Sequence, residues 1–404
     1  MTMESLLDER NPDVRVEFGI ARAEFAMRSA SVAFAEQLAA IDAILAEARA
    51  FPEVFLGPSA NVFDSDAVAF AERAAVADLA VRLCLSENTV RAQAHQAETL
   101  RQRAPQVWIA FREGDVSSAN AATVAELAAT LPAEAWFVFE EAVLEPAGVL
   151  APARFRARAR AIRGRVQPEK SIERHQRRAL DRRVWVDADL DGMCWFGAYL
   201  PAEVAQRAII HLDRAAASLA GQPDETRTLA QLRADIAGDL LAGVLGSTGA
   251  GVSVAVTVPV MTLLGGSDEP GILDGYGPID ADTARRLAAH APSFTRILTH
   301  PVTKTVLDVD RTSYRVPADL KRWLAVTQVT CTFPGCGRRA SACDIDHTIA
   351  WEHGGTTKAG NLAHLCRSHH RLKHNSNWIA EHTEVGLRWM SPTGAIRTAD
   401  PPPF

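Results

Sequence analysis

The stretch CTFPGCGRRASACDIDHTIAWEHGGTTKAGNLAHLCRSHHRLKH, Cys331 to His374, decides how this chain is read. Its 44 residues hold six of the twelve histidines and four of the six cysteines. Uniform scatter of those two residue types would place about two there. Cys331 and Cys336 form a C-x4-C pair in a Gly/Pro turn, and Cys366 and His369 form a C-x2-H pair near the start of a predicted helix. The gap between the pairs is 29 residues. Three thiolates and one imidazole suit tetrahedral structural zinc. Such a clip would hold a small module whose own core is too thin to fold unaided. The bland alternative is a set of free buried cysteines, and Cys343 is the rival ligand or a packing residue.

Outward from that cluster, the chain has 404 residues, 48% of them hydrophobic, enough for two or three domains. The net charge of -6 argues against a uniformly basic nucleic-acid binder, but the charge is segregated. Pro152 to Arg183 carries +9 and Lys321 to His382 carries +4, which leaves -19 on the remainder. Six cysteines in 404 residues do not make a disulfide framework. The first residues are acidic and lack the apolar core of a signal peptide. The apolar run Val252 to Leu264 is too short for a bilayer and contains Ser253, Thr257 and Pro259. A soluble, cytoplasmic protein without a membrane partner is therefore expected.

The elements predict an α+β fold: a mainly helical N-terminal region, a small mixed sheet in the middle, and the zinc-clipped module at the C-terminal end. The expected division is a helical region over 15–150, an Arg-rich connecting helix over 151–183, an α+β continuation over 184–300, the module over 320–382 and a C-terminal tail over 383–404. Ala75 to Arg91 reads as a helix, a short turn, Ser86 as N-cap and a second helix. That pattern fits an ordinary helical hairpin or a DNA-reading helix-turn-helix. The arginines of 153–165, Arg156 and Arg160 among them, fit either phosphate contacts or a solvated, salt-bridged face. Arg183 to Leu200 reads as two strands joined at Asp191-Gly192. Helices are expected from Pro201 to about Ala220, over Leu229 to Leu245, near Asp280 to Ala291 and over Ala318 to Thr327. The valines at 252, 254, 256, 258 and 260 predict a strand over Gly251 to Leu264, and Asp308 to Tyr314 a short one.

Between and beside the ligand pairs lie Asp346-His347, the Gly354-Gly355 bend, Asn361-Leu362 and the run Leu365-Cys-Arg-Ser-His-His-Arg-Leu-Lys-His374. Together they resemble the HNH endonucleases and their ββα-metal fold, the three letters falling on His347, Asn361 and His370. Upstream, LSENTVRAQA, DLDGMCWFGAYLPAE, TLAQLRADIAGDLL and GYGPIDADTARRLA resemble the domain of unknown function 222 of high-GC bacteria, whose chemistry is unassigned. The resemblance covers residues 20 to 395.

It implies a metal-dependent DNA endonuclease, a hydrolase acting on ester bonds and leaving 5′-phosphate and 3′-hydroxyl ends. His347 would be the general base, its ordinary pKa near working pH. Asn361 would orient it. In the family the hairpin distorts here, so that the carboxylate of Asp346 turns to the metal while the imidazole faces water. On the helix, His370 is turned about 100° from His369 and shares a face with His374. Asp346, His370 and His374 are thus the expected ligands of Mg²⁺ or Mn²⁺, with a surface or phosphate role as the alternative for His374. Arg367, Arg371 and Lys373 read as phosphate contacts, with a solvated face as the alternative. DNA is the expected partner, no small-molecule cofactor is expected, and the oligomeric state stays open. A lapsed DNA-binding protein and an RNA-directed nuclease are the rival readings.

Overall fold

The computed structural model describes residues 12–56, 66–166, 171–220, 222, 225–242, 256–273, 276–289, 316–383 and 386–399. The chain divides into two compact units: Met1–Pro168 together with Ile297–Pro402, and Glu169–Arg296. The expected strand at 308–314 lies outside the described residues.

Seven helices begin the first unit: α1 (Pro12–Ala50), α2 (Ala67–Leu83), α3 (Glu87–Arg103), α4 (Pro105–Arg112), α5 (Ser118–Ala128), α6 (Trp136–Val149) and α7 (Pro152–Val166). Their boundaries follow local chemistry. The Ser86 and Ser117 hydroxyls accept from the backbone N–H of Thr89 and Asn120, which caps α3 and α5. Pro105 opens α4, and the Glu140 carboxylate accepts the N–H groups of Gln106 and Val107 at 2.6 and 3.0 Å. Among the described residues, one helix, α1, is long and apolar enough by length and composition to cross a membrane. Its second half, however, buries Ala35, Leu38, Ile41, Leu45 and Ala48 in the protein core. Nor does α7 merely connect: Phe155, Ala159 and Ile162, at helical spacing, are buried among α5 and α6, and its arginines fill the outer face.

In the second unit, α8 (Ser171–Ala179) leads to the antiparallel hairpin β1 (Arg183–Ala188) and β2 (Cys194–Tyr199). Asp191 and Gly192 both take positive φ, 54° and 79°, as a tight two-residue hairpin turn requires. Helices α9 (Ala202–Ala220) and α10 (Leu229–Ala242) pack on each other. The valine run does not form one long strand. Among its described residues Val256–Thr257 pair, as β3; Pro259 then removes a ladder donor and opens a short helix, α11 (Val260–Leu263). Residues 251–255 lie outside the described residues. Strands β4 (Gly271–Leu273) and β5 (Gly277–Ile279) complete an antiparallel sheet, and α12 (Ala281–Ala289) covers it.

The chain then returns to the first unit with α13 (Ala318–Thr327), the hairpin β6 (Asp344–His347) and β7 (Leu362–Leu365), and α14 (Arg367–Asn375). This is a ββα arrangement. Three more strands follow: β8 (Ile379–Thr383), β9 (Gly386–Met390) and β10 (Ile396–Thr398). The expected C-terminal tail thus carries two of these strands within its described residues. In β9 the odd positions Leu387 and Trp389 are buried and Arg388 is exposed, a period-two pattern that fixes the register.

One core joins this module to the helices. Ala71, Ala74, Leu79 and Val81 of α2 are buried with Cys331, Phe333, Cys366, Leu372, Trp378 and Trp389. Polar contacts cross the same boundary. Trp378 Nε1 donates to the Ala74 carbonyl, Asn377 donates to the carbonyls of Phe55 and Leu56, and Arg73 donates to Ser368. Asp78 accepts from Thr393.

Candidate metal centres and active site

Two groups of ligating side chains sit on the ββα element. In the first, the donor atoms of Cys331, Cys336, Cys366 and His369 all lie within 4.8 Å of one another. His369 Nδ1 is 3.4 Å from the Cys331 sulfur and 3.3 Å from that of Cys366. A tetrahedron of three thiolates and an imidazole at zinc bond lengths has edges of about 3.5 Å, so the donors fit that ion in chemistry and in spacing. The sulfurs share protons as one group: hydrogen bonds from Cys331 and Cys336 push the Cys366 thiol down, while those with Cys336 and Cys366 push the Cys331 thiol up. Phe333 stacks on the His369 ring at 4.0 Å and 13°. Cys343 stands outside the four and points its sulfur at the Arg339 carbonyl, 3.3 Å away.

The second group is Asp346, His370 and His374. Asp346 Oδ1 is 3.3 Å from Nε2 of each histidine. Burial would raise the Asp346 pKa, but hydrogen bonds from His374 and Lys373, with their charge, hold it down at about 2. The carboxylate is thus ionised throughout the range in which the protein would work. Lys373 is not a phosphate contact in this arrangement. Its side chain is 10% exposed, and Nζ is 2.6 Å from Asp346 Oδ2 and 2.6 Å from the His347 carbonyl. The two oxygens of Asp346 are divided: one faces Lys373, the other faces the histidines.

His347 lies on β6 beside Asp346 and is 8% exposed. Pairing of β6 with β7 stays one-to-one, Asp346 with Ala363 and His347 with Leu362. The expected distortion is thus absent from the register, and plain strand alternation separates the carboxylate from the imidazole. Burial pushes the His347 pKa below its ordinary value, with Lys373 adding to the effect and Asp346 opposing it. The neutral, proton-accepting form is favoured. Its Nε2 meets the hydroxyl of Thr357, fully buried, at 3.1 Å.

Asn361 acts one step away from where it was expected. Its side chain accepts from Ile349 N at 2.8 Å and donates to the carbonyls of Ile349 and Thr356 at 3.1 and 2.9 Å. It staples the loop that carries Thr357, and Thr357 touches the histidine. The bend at Gly355 closes that staple. A Cβ there would lie 1.8 Å from the Ile349 carbonyl oxygen and 2.9 Å from Asn361 Nδ2. Backbone cannot yield that much, so Gly355→Ala should displace the loop, cost about 1–3 kcal/mol of stability and lower any nuclease rate at least tenfold. Thermal melting together with a plasmid cleavage assay would check both effects; a wild-type rate would show that the loop does not hold His347.

Other expected contacts are placed differently. Arg367 is exposed at the first turn of α14. Arg371 lies over the Phe70 ring at 5.1 Å, tied to α2. On α7, Arg160 is exposed and Arg156 pairs with Glu126 at 2.5 Å. The expected pair of helices with a short turn is present as α2 and α3, but the second helix starts against the module: Glu87 Oε1 is 2.6 Å from His369 Nε2. Sequence reasoning missed Thr357, Glu87 and the true place of Lys373. The Thr356-Thr357 pair directly after Gly354-Gly355 was the one available hint for the first.

Comparison with known proteins covers residues 25–326 and 330–376. Residues 25–326 match the family described as Domain of unknown function (DUF222), and residues 330–376 match the HNH endonuclease family. Two uncharacterised proteins of Mycobacterium tuberculosis strain H37Rv are each 38% identical to the chain over 90 residues. Those residues are 22% of this chain and 17% and 16% of the two relatives, so the match spans about a sixth of their length. No solved structure matches.

Proposed function

Because the chain belongs to the DUF222 family and carries an HNH endonuclease domain at its C-terminal end, we propose that it is a metal-dependent nuclease that hydrolyses DNA phosphodiester bonds. The observation that carries this reading is the convergence of Asp346, His370 and His374 on one strand-helix corner, with His347 on the adjacent strand position. The Cys331, Cys336, Cys366 and His369 group would hold a structural zinc.

Each residue has a defined task in this scheme. Asp346, His370 and His374 would hold a divalent cation, Mg²⁺ or Mn²⁺. When bound, that cation supplies charge neutralisation at the scissile phosphate and the leaving oxygen. Lys373 occupies Asp346 Oδ2 and so leaves Oδ1 as the ligating atom. His347 would accept the proton of the attacking water, with Thr357 fixing the rotation of its ring. Cleavage would fall at P–O3′ and leave a 5′-phosphate and a 3′-hydroxyl. Arg367 and the outer arginines of α7, including Arg160, offer charge to the phosphate backbone.

The test is nicking of supercoiled plasmid by the full chain, with Mg²⁺ or Mn²⁺ and with a chelator, beside a structured RNA. Nicked circles that appear only with the metal support the reading. Cleavage of the RNA alone would select an RNA-directed nuclease. Tight plasmid binding without cleavage under any divalent metal would select a lapsed, DNA-binding protein.

A further inference from the structure

The most unexpected contact in the described residues joins the first turn of α3 to the thiol cluster. Glu87 belongs to the segment matched by DUF222, and His369 to the segment matched by HNH. They are separated by 282 residues, yet Glu87 Oε1 and His369 Nε2 are 2.6 Å apart. We propose that Glu87 is the outer partner of the zinc-ligating histidine, so that the metal site of the nuclease module is completed by the upstream domain. The proposal rests on the zinc reading above and assigns a positioning residue to it.

The geometry of His369 leaves each of its edges with one task. Nδ1 faces the sulfurs of Cys331 and Cys366, at 3.4 and 3.3 Å, and is the ligating nitrogen. Phe333 covers one face of the ring. Nε2 points the other way and meets the carboxylate. With Nδ1 committed to a metal, Nε2 carries the proton and donates it to Glu87. Such a carboxylate fixes the tautomer and rotation of a ligating imidazole and makes it a better donor. Both partners are largely withdrawn from water, His369 at 6% and Glu87 at 15% side-chain exposure, which strengthens the charge-assisted bond.

Glu87 is itself held in place. Arg91, one turn on, donates to its second oxygen, Oε2, at 2.6 Å. The Ser86 cap fixes the first turn of α3, and the preceding Leu85 carbonyl packs near Gly335 of the Cys331–Cys336 turn. A freely rotating surface glutamate would give up side-chain entropy to reach a histidine; this one has already been ordered by its own helix. The upstream domain therefore contributes more than a scaffold: one of its side chains reaches the ligand shell.

The experiment measures zinc release from the full-length protein to a chromophoric chelator. Wild type should hold about one zinc and release it slowly, and Glu87→Ala should release it about 10- to 100-fold faster. Glu87→Gln keeps an acceptor but loses the charge and should fall between the two. The decisive control is His369→Cys, which replaces the imidazole with a thiolate that has no N–H to orient. In that background Glu87→Ala and Glu87→Gln should change nothing further. Equal release from wild type and both Glu87 variants would overturn the proposal, and so would the same acceleration in the His369→Cys background, which would mark a merely structural effect of α3. Should Glu87→Ala not fold, Glu87→Gln with and without His369→Cys gives the same decision. A wild-type protein that holds no zinc would remove the zinc reading itself, a result separable from the others by metal content alone.

Discussion

His347→Ala is expected to slow metal-dependent plasmid nicking by about 10²- to 10⁴-fold, the range that a positioned general base supplies. The expectation rests on where the imidazole sits. It is 8% exposed, and the buried hydroxyl of Thr357 fixes its Nε2. Burial also keeps the ring neutral, which is the form that accepts a proton. Alanine removes the acceptor while leaving Asp346, His370 and His374 to hold the cation, so metal binding should survive as chemistry fails. The rate of single-turnover nicking at saturating Mg²⁺ or Mn²⁺ is the measurement. Retained zinc content and an unchanged melting transition would exclude unfolding as the cause. A variant that nicks at the wild-type rate would end the assignment of His347, whatever the wild type does.

Stripping the proposed zinc is the second large effect, and it should not stay local. Metal binding by structural zinc sites is worth about 10–16 kcal/mol, as much as the whole stability of an ordinary domain. Cys331 and Cys366 lie in the same core as Ala71, Ala74, Leu79 and Val81 of α2. Loss of the metal leaves three thiols and a histidine facing one another in that core, under Phe333, Trp378 and Trp389. A strong chelator, or Cys366→Ser, should therefore red-shift tryptophan emission and lower helix content well beyond the nine residues of α14. Excess Mg²⁺ should not restore either signal. Circular dichroism and fluorescence on one sample decide the matter; a loss confined to the module would show that the shared core does not couple the two.

What was legible beforehand was the chemistry that proximity in sequence encodes. C-x4-C and C-x2-H are local spacings, and so are the Asp191-Gly192 turn, the Ser86 cap and the His370–His374 pair four apart on α14. The valine run misled because a period of two records only what a strand would like to face; Pro259 ended the ladder before the valines did. The strands after residue 383 were missed for the opposite reason. Their alternation is short, and Trp389 finds its buried place only because α2 and the Cys331–Cys336 turn are there to receive it. Lys373, on a basic helix, reads from the sequence as a phosphate contact or as part of a solvated face, because its ion pair leaves no local trace. Its partner Asp346 is 27 residues back, on another element. Glu87 carried no signal at all: a glutamate at the first turn of a helix is ordinary helix chemistry, and only the folded chain shows that its oxygen meets His369.

The split of the first unit into two stretches of chain also sets a clock. The Ala74 carbonyl waits for the Trp378 indole, 304 residues later. At translation speeds of about 5–20 residues per second, that is on the order of 15–60 s. Throughout that interval the emerging helices present an unfilled apolar seat, and the thiols that would clip the module have not been made. The newborn chain is then most open to chaperones, to proteolysis and to association with its neighbours on the polysome. On the nuclease reading, cleavage competence would arise only once His370 and His374 have been made, so a partly made chain would be inert.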